Sequence, residues 1–243
     1  MNQSQTPLET GTAVSLSDIL SERSLYSYVQ SIRDLKRQTT YGYEVLVRGP
    51  SDSLWHRPDQ LFIAAQSQQL SRQLEIVILE VHLENIAAHT SIGCYTVNLA
   101  PNLLLDKTVF QILNRYALAE RIKIELTEHL PIRDWQPIKQ RMAQLRKKGY
   151  QFWLDDVGCG FFDLALIDEV KPEVVKLCIK IISRLTFDPT LVDEIKAVVK
   201  AVHDYGGAVL AEGIEEHVQL DMAEQLSIDL AQGYLFDKPQ PLI

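Results

Sequence analysis

Short apolar runs alternate with longer amphipathic segments from Leu25 to the carboxyl end of the chain. This alternation is typical of repeated strand-helix units around a parallel sheet. Strands are predicted at 25–33, 41–48, 94–99, 121–126, 151–155, 173–177, 207–211 and 228–231. Because about eight such units close a barrel, the pattern predicts an α/β fold of the TIM-like (β/α)8 type.

Two helices are indicated most clearly by their apolar faces and end signals. The segment 135–147 carries apolar residues on one face, and Gly149 follows as a stop signal. In the segment 188–205, Asp188 and Pro189 supply an N-cap and a first-turn proline. Both segments are therefore predicted to pack as helices over the sheet.

Length and composition suit a single folded domain. The chain has 243 residues, of which 46% are apolar, enough for one barrel core. Residues 1–20, which begin with a polar stretch, are expected to form a flexible tail, and residues 21–243 are expected to form one domain. The start lacks the pattern of a signal peptide and no apolar run is long enough to span a bilayer, so we expect a cytoplasmic protein with no membrane partner.

Charge and cysteine content exclude several kinds of site. The net charge of −8 disfavours a DNA-binding surface, because phosphate backbones are bound through lysine and arginine clusters. Cys94, Cys159 and Cys178 lie far apart without a CxxC pair, so reduced thiols are expected and no cysteine zinc site is predicted.

One predicted strand carries an unusual carboxylate. In 122–127, strand alternation places Lys123, Glu125 and Thr127 on one face and the apolar side chains on the other. If that face lines the barrel interior, Glu125 is buried. A buried carboxylate is costly unless it is paired or binds a metal, so Glu125 is a candidate functional residue.

Polar residues end or interrupt the other strands in the same way. They are Glu44, Asn98, the pair Asp155-Asp156, Lys176 and Glu212. Barrel active sites form at the carboxyl ends of strands, so these groups are expected to converge. Carboxylate and amide oxygens suit Mg²⁺ or Mn²⁺, and one aspartate bridging two ions is the arrangement that two-metal phosphodiester hydrolysis uses.

Each group also has an ordinary structural interpretation. An Asp-Asp pair before Gly158 is more often a turn than a pair of ligands, and Asn98 alone is more often a strand-ending turn residue. Lys176 alone fits a core lysine with a buried stem. The recurrence of such groups at successive strand ends favours the functional interpretation.

The order of these motifs resembles that of a known family. The matching segments are Glu44-Val45-Leu46-Val47-Arg48, Val-Asn-Leu-Ala-Pro at 97–101, Glu-Leu-Thr-Glu at 125–128, Leu-Asp-Asp-Val-Gly-Cys-Gly-Phe at 154–161, Lys176, Ala-Glu-Gly-Ile-Glu at 211–215 and Gln-Gly-Tyr-Leu-Phe at 232–236. From about Leu25 to Pro239 the chain resembles an EAL domain, the family of cyclic di-GMP phosphodiesterases.

The resemblance implies a barrel with one antiparallel strand that opens cyclic di-GMP to the linear dinucleotide pGpG with two Mg²⁺ or Mn²⁺ ions. It implies one ion held by Glu44, Asn98, Glu125 and Asp155, and a second held or surrounded by Asp155, Asp156 and Glu212. Lys176, Glu212 and Glu44 would be catalytic, and the general base stays open between Glu212 and hydroxide generated by the ions. The resemblance further implies substrate contacts from Gln30, Arg48, Glu215 and Gln232, and a loop steadied by Glu128.

The resemblance also implies a homodimer through the region after Asp156, and a protein partner is possible in such a family. The chain departs from the family pattern at Val45, Val157 and Cys159, and at Cys178, where the family has an aspartate two residues after the lysine. If the family's aspartate orients the lysine or the water by a charged hydrogen bond, its loss weakens that contact. The alternative function is therefore a weak or inactive EAL domain that acts as a cyclic di-GMP receptor or protein-interaction regulator.

Overall fold

A computed structural model describes residues 14–89, 93–116, 118–127, 132–158 and 164–242. Strands form at each of the predicted positions. They are β1 (Tyr26–Asp34), β2 (Thr39–Arg48), β3 (Cys94–Leu99), β4 (Ile122–Leu126), β5 (Gln151–Val157), β6 (Val174–Leu177), β7 (Ala208–Ala211) and β8 (Leu230–Ala231), with a short β9 (Gln240–Pro241). The predicted alternation of strands and helices is confirmed.

The first eight strands close into a barrel. Strands β2 to β8 follow one another as parallel neighbours, and β1 closes the ring between β8 and β2. β1 runs antiparallel to both neighbours, with Gln30 opposite Glu44 and Arg33 opposite Ala231. The TIM-like barrel with one antiparallel strand is therefore confirmed.

Helices cover the outside of the barrel. They are α1 (Leu16–Glu22), α2 (Pro58–Ser67), α3 (Ser71–Ala88), α4 (Lys107–Tyr116), α5 (Gln136–Arg146), α6 (Leu164–Val170), α7 (Ile179–Arg184), α8 (Pro189–Asp204) and α9 (His217–Gln225), with 3-10 turns at Leu54–His56 and Pro101–Leu105. The two helices that the sequence indicated most clearly are α5 and α8. The Asp188 side chain accepts a hydrogen bond from the Leu191 amide, which confirms the predicted cap. No described helix combines the length and the hydrophobicity needed to cross a bilayer.

The expectation of a flexible tail over residues 1–20 needs correction for its last residues. Leu16, Ile19 and Leu20 belong to α1 and are buried against neighbouring helices. Ser15 and Asp18 form a capping box that satisfies the first amides of this helix. Burial of the apolar side chains and the cap together explain why this short segment is helical. Residues 1–13 lie outside the described residues.

The barrel interior has two levels of opposite chemistry. The lower level, here called the apolar floor, is a buried cluster. It consists of Ile32, Trp153, Val174, Leu210 and Leu230. On the parallel strands, the interior residue two positions after each floor residue is polar, because side chains alternate with a period of two. The floor thus supports a polar level at the carboxyl ends of the strands.

Candidate active site

The upper level of the barrel interior is here called the polar layer. It consists of Gln30, Glu44, Asn98, Glu125, Asp155, Lys176, Glu212 and Gln232. Strand β1 contributes one of them, and β2, β3, β4, β5 and β6 contribute one each. Glu212 and Gln232 directly follow β7 and β8. The structure therefore brings together side chains that the sequence placed at separate strand ends.

Lys176 lies at the centre of the polar layer and is fully buried. Its Nζ lies 2.8 Å from Glu125 Oε2, 2.8 Å from Asp155 Oδ1 and 2.7 Å from Glu212 Oε1. A fourth carboxylate, Glu44, approaches to 3.6 Å. Such a contact set satisfies an ammonium group that would otherwise be very costly to bury.

Burial and mutual charge shift the pKa values of this cluster. Burial raises the pKa of Glu125 to about 8, and the nearby Lys176 ammonium offsets only part of that rise. Burial likewise raises the pKa of Glu212 well above its ordinary value. Burial lowers the pKa of Lys176, but the charges of Asp155, Glu125 and Glu212 outweigh it, so that the net shift is upward. The lysine therefore stays charged, and both carboxyl groups bind a proton more tightly than an ordinary glutamate does.

Amide side chains hold Glu44 in place from two sides. Asn98 Nδ2 donates to Glu44 Oε1 at 3.1 Å, and Gln232 Nε2 donates to Glu44 Oε2 at 2.7 Å. Gln232 Nε2 also reaches Gln30 Oε1 at 3.1 Å, and Gln30 Nε2 donates to the Asp237 carbonyl. This chain of hydrogen bonds fixes the carboxylate of β2 relative to β1, β3 and β8.

Several oxygens of the polar layer are suited to a metal. Among the described residues, Asn98 Oδ1, Glu125 Oε1 and Gln232 Oε1 are buried without a hydrogen-bond partner. A buried acceptor without a partner is costly, and a cation at the site would satisfy these oxygens. The donor set is carboxylate and amide oxygen, which is the chemistry that Mg²⁺ and Mn²⁺ prefer. The chemistry of these oxygens therefore suits divalent ions of this kind.

The two adjacent aspartates face different surroundings. Asp155 points into the polar layer and is mostly buried, whereas Asp156 is exposed and lines the cleft above. Asp156 has a φ of 54°, and β5 has an irregular register between Leu154 and Val157. Gly158 follows with a φ of 87°, in the turn that the sequence indicated. This local break lets neighbouring residues serve one site despite the alternation of a regular strand.

An open cleft of about 320 Å³ lies above the polar layer. Its polar lining includes Gln30, Glu44, Asp156, Glu212, Glu215 and Gln232, and its apolar lining includes Leu46, Ile179 and Tyr234. Ile179 and Tyr234 are not among the site residues predicted from the sequence. Tyr234 belongs to the Gln-Gly-Tyr segment that carried the resemblance, so that motif could have pointed to it. Ile179 follows Cys178 and carries no signal of its own in the sequence.

Other predicted site residues lie apart from the polar layer or outside the described residues. The Arg48 guanidinium lies 5.4 Å from the Tyr28 ring centre and donates to the Val47 carbonyl at the end of β2. Glu215 is exposed at the rim of the cleft. Glu128, Cys159 and residues 160–163 of the predicted dimer region lie outside the described residues.

Cys178 follows β6 directly and is fully buried. It occupies the N-cap position of α7, where its side chain makes no capping hydrogen bond. Its sulfur takes part in a disulfide, so the expectation of a reduced thiol at this position is wrong. Cys94 is free, as expected.

Comparison with known proteins places these features in a family. The chain is 27% identical over 238 residues to the probable cyclic di-GMP phosphodiesterase PdeA of Escherichia coli, covering 92% of this chain and 31% of that protein. It is 25% identical over 244 residues to the cyclic di-GMP phosphodiesterase PdeB of Shewanella oneidensis, covering 95% of this chain and 28% of that protein. The chain thus spans about a third of the length of these relatives.

Solved structures share the fold. An EAL domain protein from Listeria monocytogenes superposes with a TM-score of 0.83 at 23% identity, covering 96% of both chains. The manganese and cyclic di-GMP complex of Klebsiella pneumoniae BlrP1 superposes with a TM-score of 0.79 at 22% identity, covering 90% of this chain and 56% of that chain. The family model described as "EAL domain" matches residues 13–239. The chain therefore belongs to the EAL domain family.

Proposed function

We propose that this EAL domain hydrolyses one phosphodiester bond of cyclic di-GMP to give pGpG, with the help of two Mg²⁺ or Mn²⁺ ions. The observation that carries the proposal is the convergence of carboxylate and amide oxygens from successive strands beneath an open cleft. Relatives named as cyclic di-GMP phosphodiesterases support the substrate. The BlrP1 complex with manganese and cyclic di-GMP supports both the ligand and a divalent ion.

The polar layer divides between two proposed ion sites. Glu44, Asn98, Glu125 and Asp155 would hold one ion, and Asp155, Asp156 and Glu212 would hold the other. The orphaned oxygens of Asn98 and Glu125 are the observation that favours the first site. Bound divalent ions in such sites polarise phosphoryl oxygens and stabilise the negative charge that develops during hydrolysis.

The side chains of this chain then have distinct roles in the proposed reaction. The oxygen of a water attacks phosphorus while the bond from phosphorus to the 3′ oxygen breaks. Glu212 is placed to accept the proton of that water, because it lines the cleft and burial raises its pKa. The Lys176 ammonium contributes fixed positive charge next to Glu212, and solvent supplies the proton that the 3′ oxygen takes up.

Amide groups at the cleft would position the substrate. Gln30 and Gln232 line the cleft and are held by hydrogen bonds to each other and to Glu44. Glu215 at the rim and Arg48 at the end of β2 are proposed as further substrate contacts. Because these groups are fixed before substrate arrives, they would orient the phosphodiester at little entropic cost.

The test is a turnover assay on the purified protein. We expect pGpG, separated by chromatography, when cyclic di-GMP is added with Mg²⁺ or Mn²⁺, and no product in excess chelator. Calcium should inhibit, because its looser coordination does not keep the tight octahedral geometry of the smaller ions. Glu212→Gln keeps the size of the side chain but accepts no proton, so it should lose turnover. Equal product in excess chelator would contradict the proposal.

A second function, a receptor for cyclic di-GMP, stays an alternative prediction. Cys178 stands where the family pattern has an aspartate, and the substitution removes a negative charge two residues from Lys176. A receptor would bind cyclic di-GMP, seen by calorimetry, and form no pGpG with either ion. We propose a cytoplasmic location, and a homodimer or another protein partner stays a prediction that light scattering of the purified protein would test.

A further inference from the structure

Lys176 is placed where a cation is expected in the polar layer. Its Nζ contacts oxygens of Glu125, Asp155 and Glu212 at 2.7–2.8 Å. In the described part of the chain, the ion pairs of these carboxylates all have this ammonium as the positive partner. The same carboxylates are the side chains proposed above to hold the divalent ions.

An ammonium and a divalent ion at these carboxylates compete, because both bind oxygens of Glu125 and Asp155 and their positive charges repel each other. Mg²⁺ binds oxygen at about 2.0–2.1 Å, much closer than the present distances to Nζ. In the described part of the chain, no group of three histidine, cysteine, aspartate or glutamate side chains is arranged to hold an ion. The carboxylates are instead gathered around the ammonium, which keeps them at hydrogen-bonding distance from Nζ.

We infer that Lys176 is an internal cation that competes with the divalent ions for Glu125 and Asp155 and has to leave them when an ion binds. This inference rests on the proposed function only in taking the polar layer as the metal site. When ionised, the four carboxylates exceed the single ammonium by three negative charges. That excess favours a divalent ion over the lysine alone, because a close pair of unlike charges is strongly attractive where water is excluded.

The position of the cleft indicates the direction in which the Lys176 side chain moves. Glu212 and Glu44 line the cleft, whereas Glu125 and Asp155 lie below it and do not. A lysine carries its charge on a flexible four-carbon stem. Rotation of that stem toward Glu212 keeps one ion pair and releases Glu125 and Asp155. The ammonium would then face the cleft, where a phosphate is expected.

The decisive measurement is calorimetric titration of Mn²⁺ into the whole chain and two matched variants. Lys176→Met keeps an unbranched side chain and removes the competing charge, so we expect it to bind Mn²⁺ at least about tenfold more tightly than the unaltered protein. Lys123→Met is the control. Lys123 is another buried lysine of the barrel, but its Nζ donates to the Glu120 carbonyl, so its loss should leave Mn²⁺ affinity unchanged. Equal or weaker binding by Lys176→Met would overturn the inference.

A second measurement covers the case in which Lys176→Met does not fold. In crystals of the unaltered protein soaked with Mn²⁺, we expect Nζ to lie about 4 Å or more from Glu125 Oε2, beyond the reach of a hydrogen bond. An ion bound in the polar layer with Nζ still 2.8 Å from that oxygen would refute the competition. Neither readout depends on turnover. If the protein hydrolyses cyclic di-GMP but shows neither the tighter Mn²⁺ binding of Lys176→Met nor the displacement of Nζ, this inference alone is refuted. If it shows both effects but does not hydrolyse cyclic di-GMP, the proposed function alone is refuted.

Discussion

The apolar floor and the polar layer lie at two levels of the same barrel interior and differ in the polarity of their side chains. On β5 the interior residue changes from Trp153 to Asp155, and on β6 from Val174 to Lys176. In each case the two levels are separated by a single step of the strand alternation. The floor buries apolar surface, which stabilises the fold, whereas the layer buries charge, which costs stability unless it is paired.

The two levels contribute separately to stability and to function. The floor side chains contact one another and close the centre of the barrel. The layer side chains make ion pairs and hydrogen bonds but leave buried oxygens of Asn98 and Glu125 without partners among the described residues. A natural protein tolerates such groups where they bind something. Substitutions in the floor should therefore reduce stability, and substitutions in the layer should reduce turnover.

The largest effect is expected from Glu44→Ala. Removing this carboxylate takes away a proposed metal ligand, so we expect turnover of cyclic di-GMP to fall by about three orders of magnitude or more, roughly 4 kcal/mol. The fold should persist, because the change also relieves repulsion between Glu44 and the other carboxylates around Lys176. Circular dichroism and thermal unfolding measure the fold, and chromatography of pGpG measures turnover.

The matched control for this prediction is Glu194→Ala. Glu194 is an exposed carboxylate on α8, outside the barrel interior, so its loss should change neither turnover nor unfolding. Near-normal turnover by a folded Glu44→Ala protein would remove Glu44 from the ligand set.

The second prediction concerns the floor. Trp153 is fully buried and lies in the cluster with Ile32 and Leu210. Trp153→Ala should lower the free energy of unfolding by about 3–5 kcal/mol, because it removes a large apolar side chain and leaves a cavity. Urea unfolding followed by circular dichroism measures this change, which should be much larger than that of Glu44→Ala.

Trp153→Phe separates packing from polarity at the same position. Phenylalanine keeps much of the buried ring and removes the indole N–H, which has no hydrogen-bond partner among the described residues. We expect this variant to lose less than about 1.5 kcal/mol. If Trp153→Ala were as stable as the unaltered protein, the floor would not be the stabilising level of the interior.

The comparison of the two levels also shows what the sequence could predict. Strand alternation is local, so it placed Glu125 on an interior face and Asn98 and Lys176 at strand ends. Helix ends were equally predictable where a cap and an apolar face coincide, as at Asp188. The helix around Ile19 was missed because it is short and its stability depends on packing against distant segments.

The geometry of the site could not be predicted in the same way. The sequence indicated that Lys176 and the carboxylates share an end of the barrel, but the distances from Nζ depend on how all the strands pack. The left-handed conformation of Asp156 reflects a local irregularity in β5. Ile179 reaches the cleft because α7 begins there, and it contacts Gly213, whose φ of 69° favours glycine. These features are consequences of tertiary contacts, which a linear pattern does not contain.

The third prediction concerns the pH dependence of the free energy of unfolding, which reports the cost of burying carboxylates in the polar layer. The Glu125 carboxyl has an ordinary pKa of 4.5 in the unfolded chain, and burial in the folded chain raises its pKa to about 8. Between these values the folded state binds more protons than the unfolded state, so stability falls as pH rises. In chelator we expect the free energy of unfolding to decrease from about pH 5 to pH 8, by at most about 1.4 kcal/mol per pH unit for each such group.

Lys176 does not reverse the decrease in the free energy of unfolding between about pH 5 and pH 8. Its pKa is raised in the fold, so its contribution is constant below the unfolded value of 10.5 and is lost only at higher pH. Glu125→Gln has nearly the same shape without the titrating group, so its stability should depend less on pH. Parallel stability curves for the two proteins, measured by urea unfolding, would rule out Glu125 as the source of the slope.

The smallest effect is expected at Cys178, where the chain leaves the family pattern next to the polar layer. Cys178 lies two residues beyond Lys176 at the end of β6, so a carboxylate there is close to the ammonium in sequence and on the same side of an extended segment. We expect Cys178→Asp to raise kcat for cyclic di-GMP by up to about tenfold, because a charged hydrogen bond would orient the ammonium or a water. Metal affinity should change little.

Cys178 is also the N-cap residue of α7, and aspartate is a favoured N-cap. The substitution therefore has two separable consequences, a capped helix and a new charge, and it also removes the disulfide. Cys178→Asn and Cys178→Ser share the cap and the loss of the disulfide but add no charge, so a gain in kcat confined to aspartate would identify the charge as its cause. An equal gain in all three variants would assign the effect to the helix or the disulfide. Unchanged or lower kcat for folded Cys178→Asp at saturating metal and substrate would show that the missing carboxylate does not limit the reaction.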